Sequence, residues 1–295
     1  MPFRYFSAIS LAAFTVTTLV TVFLLAAPAQ SRVAWELRQT ITPDASPLDV
    51  AASIDGSRIF VLTKGGKVQI FDPNGELIAS IPVSPKMERI TAIGLQQVGI
   101  PEKIFLSGKE AGIVQELTLE FAVPIDISGA PVLGPADAPV KIVEFSDFLC
   151  PHCATVKSLT EEIQRLYPQQ VKVVFKNFPL SRDGLSIPAA LAAMAAHRQG
   201  KFWEFHARLF KAQRELSPEK IRVIAQDLQL DLTRFDQDIK SQELAKYLEK
   251  DIRDGQMAGV RGTPTIFING MLLKQRDLAT MQLMVNQALQ RNQSR

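Results

Sequence analysis

Cysteine is nearly absent from this chain: Cys150 and Cys153 are the only two among 295 residues. They stand two residues apart, so no wider disulfide framework can be drawn within the chain. Histidine is almost as rare, and besides His152 there are only His197 and His206, nine residues apart on segments that read as helical. A structural zinc site needs four well-placed ligands, and this set is a poor source of them. An excess of one charge is missing too, with 33 basic against 30 acidic side chains and a formal net charge of +3. The two signs are interleaved without a long basic run, which excludes the electrostatic footprint of a nucleic-acid binder. No nucleic-acid partner and no metal are expected.

The chain opens with Arg4, then an uncharged apolar stretch from about Phe6 to Ala27, then Ala27-Pro28-Ala29, an A-x-A cleavage signal. Residues 1–29 therefore read as a signal peptide or a membrane anchor, since the apolar stretch reaches the roughly 20 residues that cross a bilayer. Cleavage after Ala29 is the favoured reading; it removes Arg4 and no acid, leaving 32 minus 30, or +2. In both cases the remainder is expected in the periplasm or on the extracytoplasmic face of the membrane.

Residues 34–127 carry short β-type runs punctuated by turn signals at Asp55-Gly56, Gly65-Gly66 and Asp72-Pro73-Asn74-Gly75, and read as an all-β domain. Two stretches echo each other at an offset of about 45 residues, the length of a β-propeller blade: Arg58–Leu62 with Gly65–Ile70, and Lys103–Leu106 with Gly112–Leu117. Two propeller-like repeats cannot close a ring of about four to eight blades, so a sheet edge needs a cover. Either the domain packs on its own neighbour or it docks a partner, including a second copy in a homo-oligomer.

Residues 128–139, rich in Gly, Pro and Ala, read as a linker to a domain spanning 140–295. Val140–Phe145 has the apolar pattern of a buried strand, and apolar residues at helical spacing follow Cys153. Val171–Phe175 is a second strand, about 186–257 a helical insert, Thr265–Leu273 a hairpin around Asn269-Gly270, and about Leu278–Leu289 a last helix.

The cysteine pair thus falls at a helix N-terminus, where unpaired N–H groups and the helix dipole favour an anion. Disulfide exchange proceeds through a thiolate, so this placement suits Cys150 as attacking or attacked sulfur. Pro151 fits the first helical position, His152 can add a donor or positive charge, and Cys153, one turn inward, is the natural resolving thiol. A purely structural disulfide would close so short a loop that it constrains little of the unfolded chain. An inert pair is hard to reconcile with export to an oxidising compartment. Apolar Phe148, Leu149, Phe178 and Pro179 are expected to line a substrate groove.

Leu133–Val140, Glu144-Phe145-Ser146-Asp147-Phe148, Cys150-Pro151-His152-Cys153, Phe175–Leu180 and Gly262-Thr263-Pro264 together resemble the DsbA-like thioredoxin family, over residues of about 132–289. The resemblance implies an α/β thioredoxin fold with a helical insertion, and a protein dithiol–disulfide oxidoreductase that needs no cofactor beyond its Cys150–Cys153 disulfide. It implies that Pro264 is a cis-proline beside the cysteines, that Thr263 offers its backbone to substrate, and that Glu144 is a buried acid assisting proton transfer to Cys153. Lys176 is a candidate partner of that acid. Implied partners are reduced or misfolded exported proteins and a membrane-bound, quinone-linked protein that reoxidises the pair. Threonine before the cis-proline resembles the isomerase and reductase branches, whereas Pro-His between the cysteines resembles the strong oxidases. Oxidase is the leading reading, isomerase or reductase the alternative, and a binding module with tethering cysteines a third.

Overall fold

In a computed structural model of the chain, residues 36–95, 100–180 and 184–293 are described. The expected signal or anchor over residues 1–29 lies outside them. The chain divides into a unit of residues 1–40, whose described residues 36–40 form no regular element, and a unit of residues 41–295.

The larger unit begins with seven strands: β1 (Pro47–Ala52), β2 (Ile59–Thr63), β3 (Lys67–Phe71), β4 (Leu77–Pro82), β5 (Arg89–Leu95), β6 (Ile100–Gly108) and β7 (Ile113–Leu119). Strands β1 to β4 form one antiparallel sheet in sequence order and β5 to β7 a second. Alternation sends Phe60, Leu62, Val68 and Ile70 of the first sheet, and Ile90, Ile104 and Leu106 of the second, into one shared core. Gly66 makes the β2–β3 turn possible, since its φ is +84° and a Cβ there would meet Val83 O at 2.6 Å. The echoed segments fall on β2–β3 and β6–β7, so the internal repeat is a repeated hairpin. The two sheets bury their faces against each other and do not close into a ring, so the propeller likeness ends there.

Beyond them lie β8 (Val132–Leu133), β9 (Val140–Ser146), α1 (Pro151–Leu166), β10 (Val171–Asn177), α2 (Ser186–Arg198), α3 (Phe202–Lys211), α4 (Pro218–Asp227), α5 (Leu232–Ile239), α6 (Gln242–Met257), β11 (Thr265–Ile268), β12 (Met271–Leu272) and α7 (Leu278–Gln293). One sheet runs in the order β12-β11-β9-β10-β8, with β9 and β10 parallel and the other pairs antiparallel. Part of the expected linker at 128–139 is thereby corrected. Val132 and Leu133 pair with Val174 and Val173, and Phe175 N donates to Pro131 O at 3.1 Å. Prolines flanking so short a segment suit an edge strand, which needs few donors.

Strand β9 is buried on both faces. Val140, Ile142, Glu144 and Ser146 face α1 and α7, where Val156, Ile163, Met281 and Val285 pack, while Val143 and Phe145 face a cluster with Ile125, Val174, Phe178 and Val260. Helices α2 to α6 form the insert. Helix α2 is apolar all round and alanine-rich, with Ala189, Ala190, Ala192, Ala193, Ala195 and Ala196 buried, so its neighbours approach closely. Ser217, Asp231 and Ser241 cap α4, α5 and α6 by accepting from backbone N–H groups three residues on, a contribution of about 1 kcal/mol each.

Candidate active site

Strand β9 ends at Ser146 and hands the chain to a tight loop, in which Cys150 N donates to Asp147 O at 3.0 Å. Cys150 is the N-cap of α1 and Pro151 the first helical residue. Pro151 and His152 are exposed, Cys150 is half-buried and Cys153 is fully buried, both thiols being free. Across the loop, the Thr263–Pro264 peptide bond is cis, and Cys150 Sγ donates to Thr263 O at 3.3 Å. Arg276 Nη1 donates to Pro264 O at 2.8 Å, and Thr265 Oγ1 to Gly262 O at 2.7 Å, which fixes the segment that faces the sulfur.

Burial pushes the Cys153 thiol up to about 12, against smaller opposing effects of the Asp147 backbone and of the Ser146 and Thr263 hydroxyls. Burial also raises Glu144 to about 7, with the hydroxyls of Ser146 and Thr160 acting the other way. Thr160 Oγ1 lies 3.5 Å from Glu144 Oε2, while Glu144 Oε1, Ser146 Oγ and Thr263 Oγ1 are buried without a hydrogen-bond partner.

Of the residues singled out from sequence, Cys150, Pro151, His152, Cys153, Thr263 and Pro264 meet at the mouth of α1, with Glu144 beneath that helix. Phe148 and Phe178 are corrected. Phe148 is only 1% exposed and stacks on Phe175 at 5.3 Å, with Phe210 and His206 around it. Phe178 is buried edge-on against Phe145, and α6 approaches it so closely that a Cβ on Gly255 would meet its ring at 2.6 Å. Both are core, because the insert closes over the positions where an open groove was expected. Lys176 is corrected as well: it is fully buried on the opposite sheet face from Glu144 and pairs with Asp251 Oδ1 at 2.8 Å and Asp254 Oδ2 at 2.6 Å.

Three residues were missed. Ser146 shares the face of Glu144, a relationship that strand alternation alone could have exposed. Asp147 Oδ1 accepts from Leu149 N at 2.9 Å, while its Oδ2 accepts from Leu180 N at 2.9 Å and Ser186 Oγ at 3.0 Å, tying the motif loop to the start of α2. Gln213, in a 3-10 turn between α3 and α4, donates through Nε2 to the carbonyls of Phe148 and Cys150. It lies 63 residues beyond Cys150, and no local pattern marks it.

A five-stranded sheet with a parallel central pair, a Cys-x-x-Cys at a helix N-terminus and a cis-proline loop against the outer sulfur define a thioredoxin-fold protein. The chain belongs to the thioredoxin family, whose model matches residues 127–287, and its structural neighbours are DsbA-like thiol–disulfide oxidoreductases. Oxidised BdbD from Bacillus subtilis superimposes with a TM-score of 0.53 at 28% identity, over 57% of this chain and 97% of that one. A thioredoxin-like oxidoreductase from Silicibacter pomeroyi follows at a TM-score of 0.50 and 27% identity, over 55% and 94%. The Na(+)/H(+) antiporter NhaA 3 of Salinispora tropica is 36% identical over 166 residues, 56% of this chain and 24% of that protein. NhaA 1 of Salinispora arenicola is 35% identical over 53% of this chain and 24% of that protein. The chain thus spans about a quarter of the length of these curated relatives. Among the described residues of this chain, no helix is long and apolar enough to cross a membrane.

Proposed function

We propose that the chain is an exported thiol–disulfide oxidoreductase of the cell envelope that introduces disulfides into reduced proteins. The observation that carries this reading is the placement of Cys150 Sγ at the mouth of α1, 3.3 Å from Thr263 O, with Cys153 enclosed behind it. In the oxidised enzyme a substrate thiolate attacks Cys150 Sγ, and the Cys150–Cys153 bond breaks with its electron pair passing to Cys153. The substrate's second thiolate then attacks the substrate sulfur in the mixed disulfide and releases Cys150 as thiolate. Two electrons have moved from the substrate dithiol to the enzyme.

Cys150 is the sulfur attacked because it alone reaches the surface, and the high proton affinity of Cys153 makes it the buried thiol of the reduced pair. Pro151 starts the helix without an unused donor, His152 supplies a donor at the rim, and Pro264 shapes the loop whose Thr263 backbone meets an extended substrate. Glu144, raised by burial to about 7, is the source of the proton that Cys153 takes up as it leaves. A membrane-bound, quinone-linked partner is the proposed acceptor of the two electrons.

The test is transfer of oxidising equivalents from the oxidised full chain to a reduced, unfolded protein, with Cys150→Ser as control. One disulfide formed per chain, and none with Cys150→Ser, is expected. Threonine before the cis-proline favours the isomerase or reductase reading, and two measurements separate the two. An oxidase is trapped mostly disulfide-bonded in cells and equilibrates with glutathione near about −120 mV, whereas a mostly reduced pair near about −270 mV overturns the oxidase assignment.

A further inference from the structure

We propose that Ser146 is the proton relay between Glu144 and Cys153, its hydroxyl standing between the buried carboxyl and the departing sulfur. The proposal rests on the reading of Cys150 and Cys153 as an exchange pair and adds a residue to its chemistry.

Glu144 and Ser146 are two positions apart on β9, both on the face covered by α1 and both at most 2% exposed. That spacing moves Ser146 about 6.7 Å from Glu144 along the strand, toward the motif. Above them, Thr160 stands over Glu144, and Cys153 lies seven residues, or about 10 Å, nearer the start of the helix. Since α1 runs back along β9, Ser146 falls between the carboxyl and the thiol.

Glu144 Oε1 and Ser146 Oγ are both buried without a partner. Orphaned polar atoms in a protein interior are rare and call for an explanation, a redox or catalytic role among them. The Ser146 hydroxyl favours the anionic form of both Glu144 and Cys153. Of the other groups around Glu144, Glu161 on α1 is the charge whose field reaches it, and its strand partners Phe175 and Ile266 are apolar.

Without a proton, Cys153 is a poor leaving group: held near 12 rather than 9.0, its thiolate is about a thousandfold harder to form. As the Cys150–Cys153 bond breaks, the Ser146 proton passes to Cys153 Sγ and the Glu144 proton to Ser146 Oγ, which leaves the carboxylate. Solvent then returns a proton to Glu144.

The test compares oxidised wild type with the isosteric pair Ser146→Val and Ser146→Thr, which add the same bulk but differ in the hydroxyl. Their single-turnover reduction by excess dithiothreitol is followed across roughly pH 5 to 9, and a loss of at least about tenfold is expected for Ser146→Val on the scale of proton-transfer catalysis. The bend in its pH profile contributed by Glu144 should vanish, adding Glu144→Gln should then change nothing, and Ser146→Thr should restore both rate and bend. Identical profiles for the Val and Thr variants would overturn the relay while leaving the exchange reading intact. An oxidised wild type inert to dithiothreitol would remove the exchange reading, and the relay with it.

Discussion

Gln213 Nε2 donates to the carbonyl oxygen of Cys150 at 2.9 Å and, through the same amide, to that of Phe148 at 2.7 Å. The helical insert thereby holds the backbone of the residue proposed to be attacked. Gln213→Glu keeps the reach but replaces the donor with an anion facing two carbonyl oxygens, one of them that of Cys150 itself. Any negative charge that reduction places on Cys150 is disfavoured. The equilibrium with glutathione should move toward the disulfide by about tenfold, or about 30 mV. Gln213→Ala, which removes the donor without adding charge, should move it less. Equal potentials for wild type and Gln213→Glu would show that the contact only braces the loop.

Glu144 sets a pH dependence of stability with a defined sign. Its folded value of about 7 lies above the ordinary 4.5, so the folded chain holds the proton more tightly than the unfolded one. That contribution is complete below pH 4.5 and is lost as pH rises through 7, by up to about 3 kcal/mol. Denaturant unfolding of wild type and Glu144→Gln, both reduced, should diverge over this window, with the variant relatively more stable at higher pH.

His206 acts in the opposite sense. It is 3% exposed among Phe148, Phe175, Phe202, Trp203 and Phe210, its Nε2 has no partner, and burial lowers it to about 3. Its neutral form is a stabilising condition fully met above pH 6.5 and lost as pH falls toward 3. His206→Phe should flatten the acid limb of the thermal-melting profile. At neutral pH it should be neutral or stabilising by about 1 kcal/mol, since an unpaired buried nitrogen is removed.

Lys176 joins the sheet to α6 through Asp251 and Asp254 in a site closed to solvent. Lys176→Met strands Asp251 beneath the insert and should cost about 3 to 5 kcal/mol in urea unfolding. Adding Asp251→Leu should return most of that loss, because Asp254 retains Lys250 at 2.8 Å. No recovery in the double variant would mean that the lysine's packing, and not its charge, holds the junction.

The thioredoxin-fold half of the molecule was legible from residues adjacent in the chain. Cys150 to Cys153, the alternation of β9 and the Asn269-Gly270 turn each carry their geometry locally, and Asn269 and Gly270 take φ of 47° and 84° as that turn requires. What escaped depends on contacts made across long separations. Phe148 looks like groove lining until α3 is folded over it, and Gln213 has no significance until its turn meets the motif loop. Lys176 and Glu144 are both charged groups in buried strands, and only the register of β10 on β9 puts them on opposite faces. The β hairpins were visible as a repeat, but how two such sheets pack is decided by side chains meeting between them.

The segment just before the five-stranded sheet has a practical bearing on dissecting the protein. Val123 N reaches Gly270 O at 2.9 Å, Asp126 O receives the Lys176 ammonium at 3.0 Å, and Pro131 O receives Phe175 N. A fragment begun at residue 140 would strip one acceptor, Gly270 O, and two donors, Phe175 N and the buried Lys176 ammonium, of these partners along one border. Anyone excising the thioredoxin-fold unit for expression or grafting should start near Phe121, where the stitching begins.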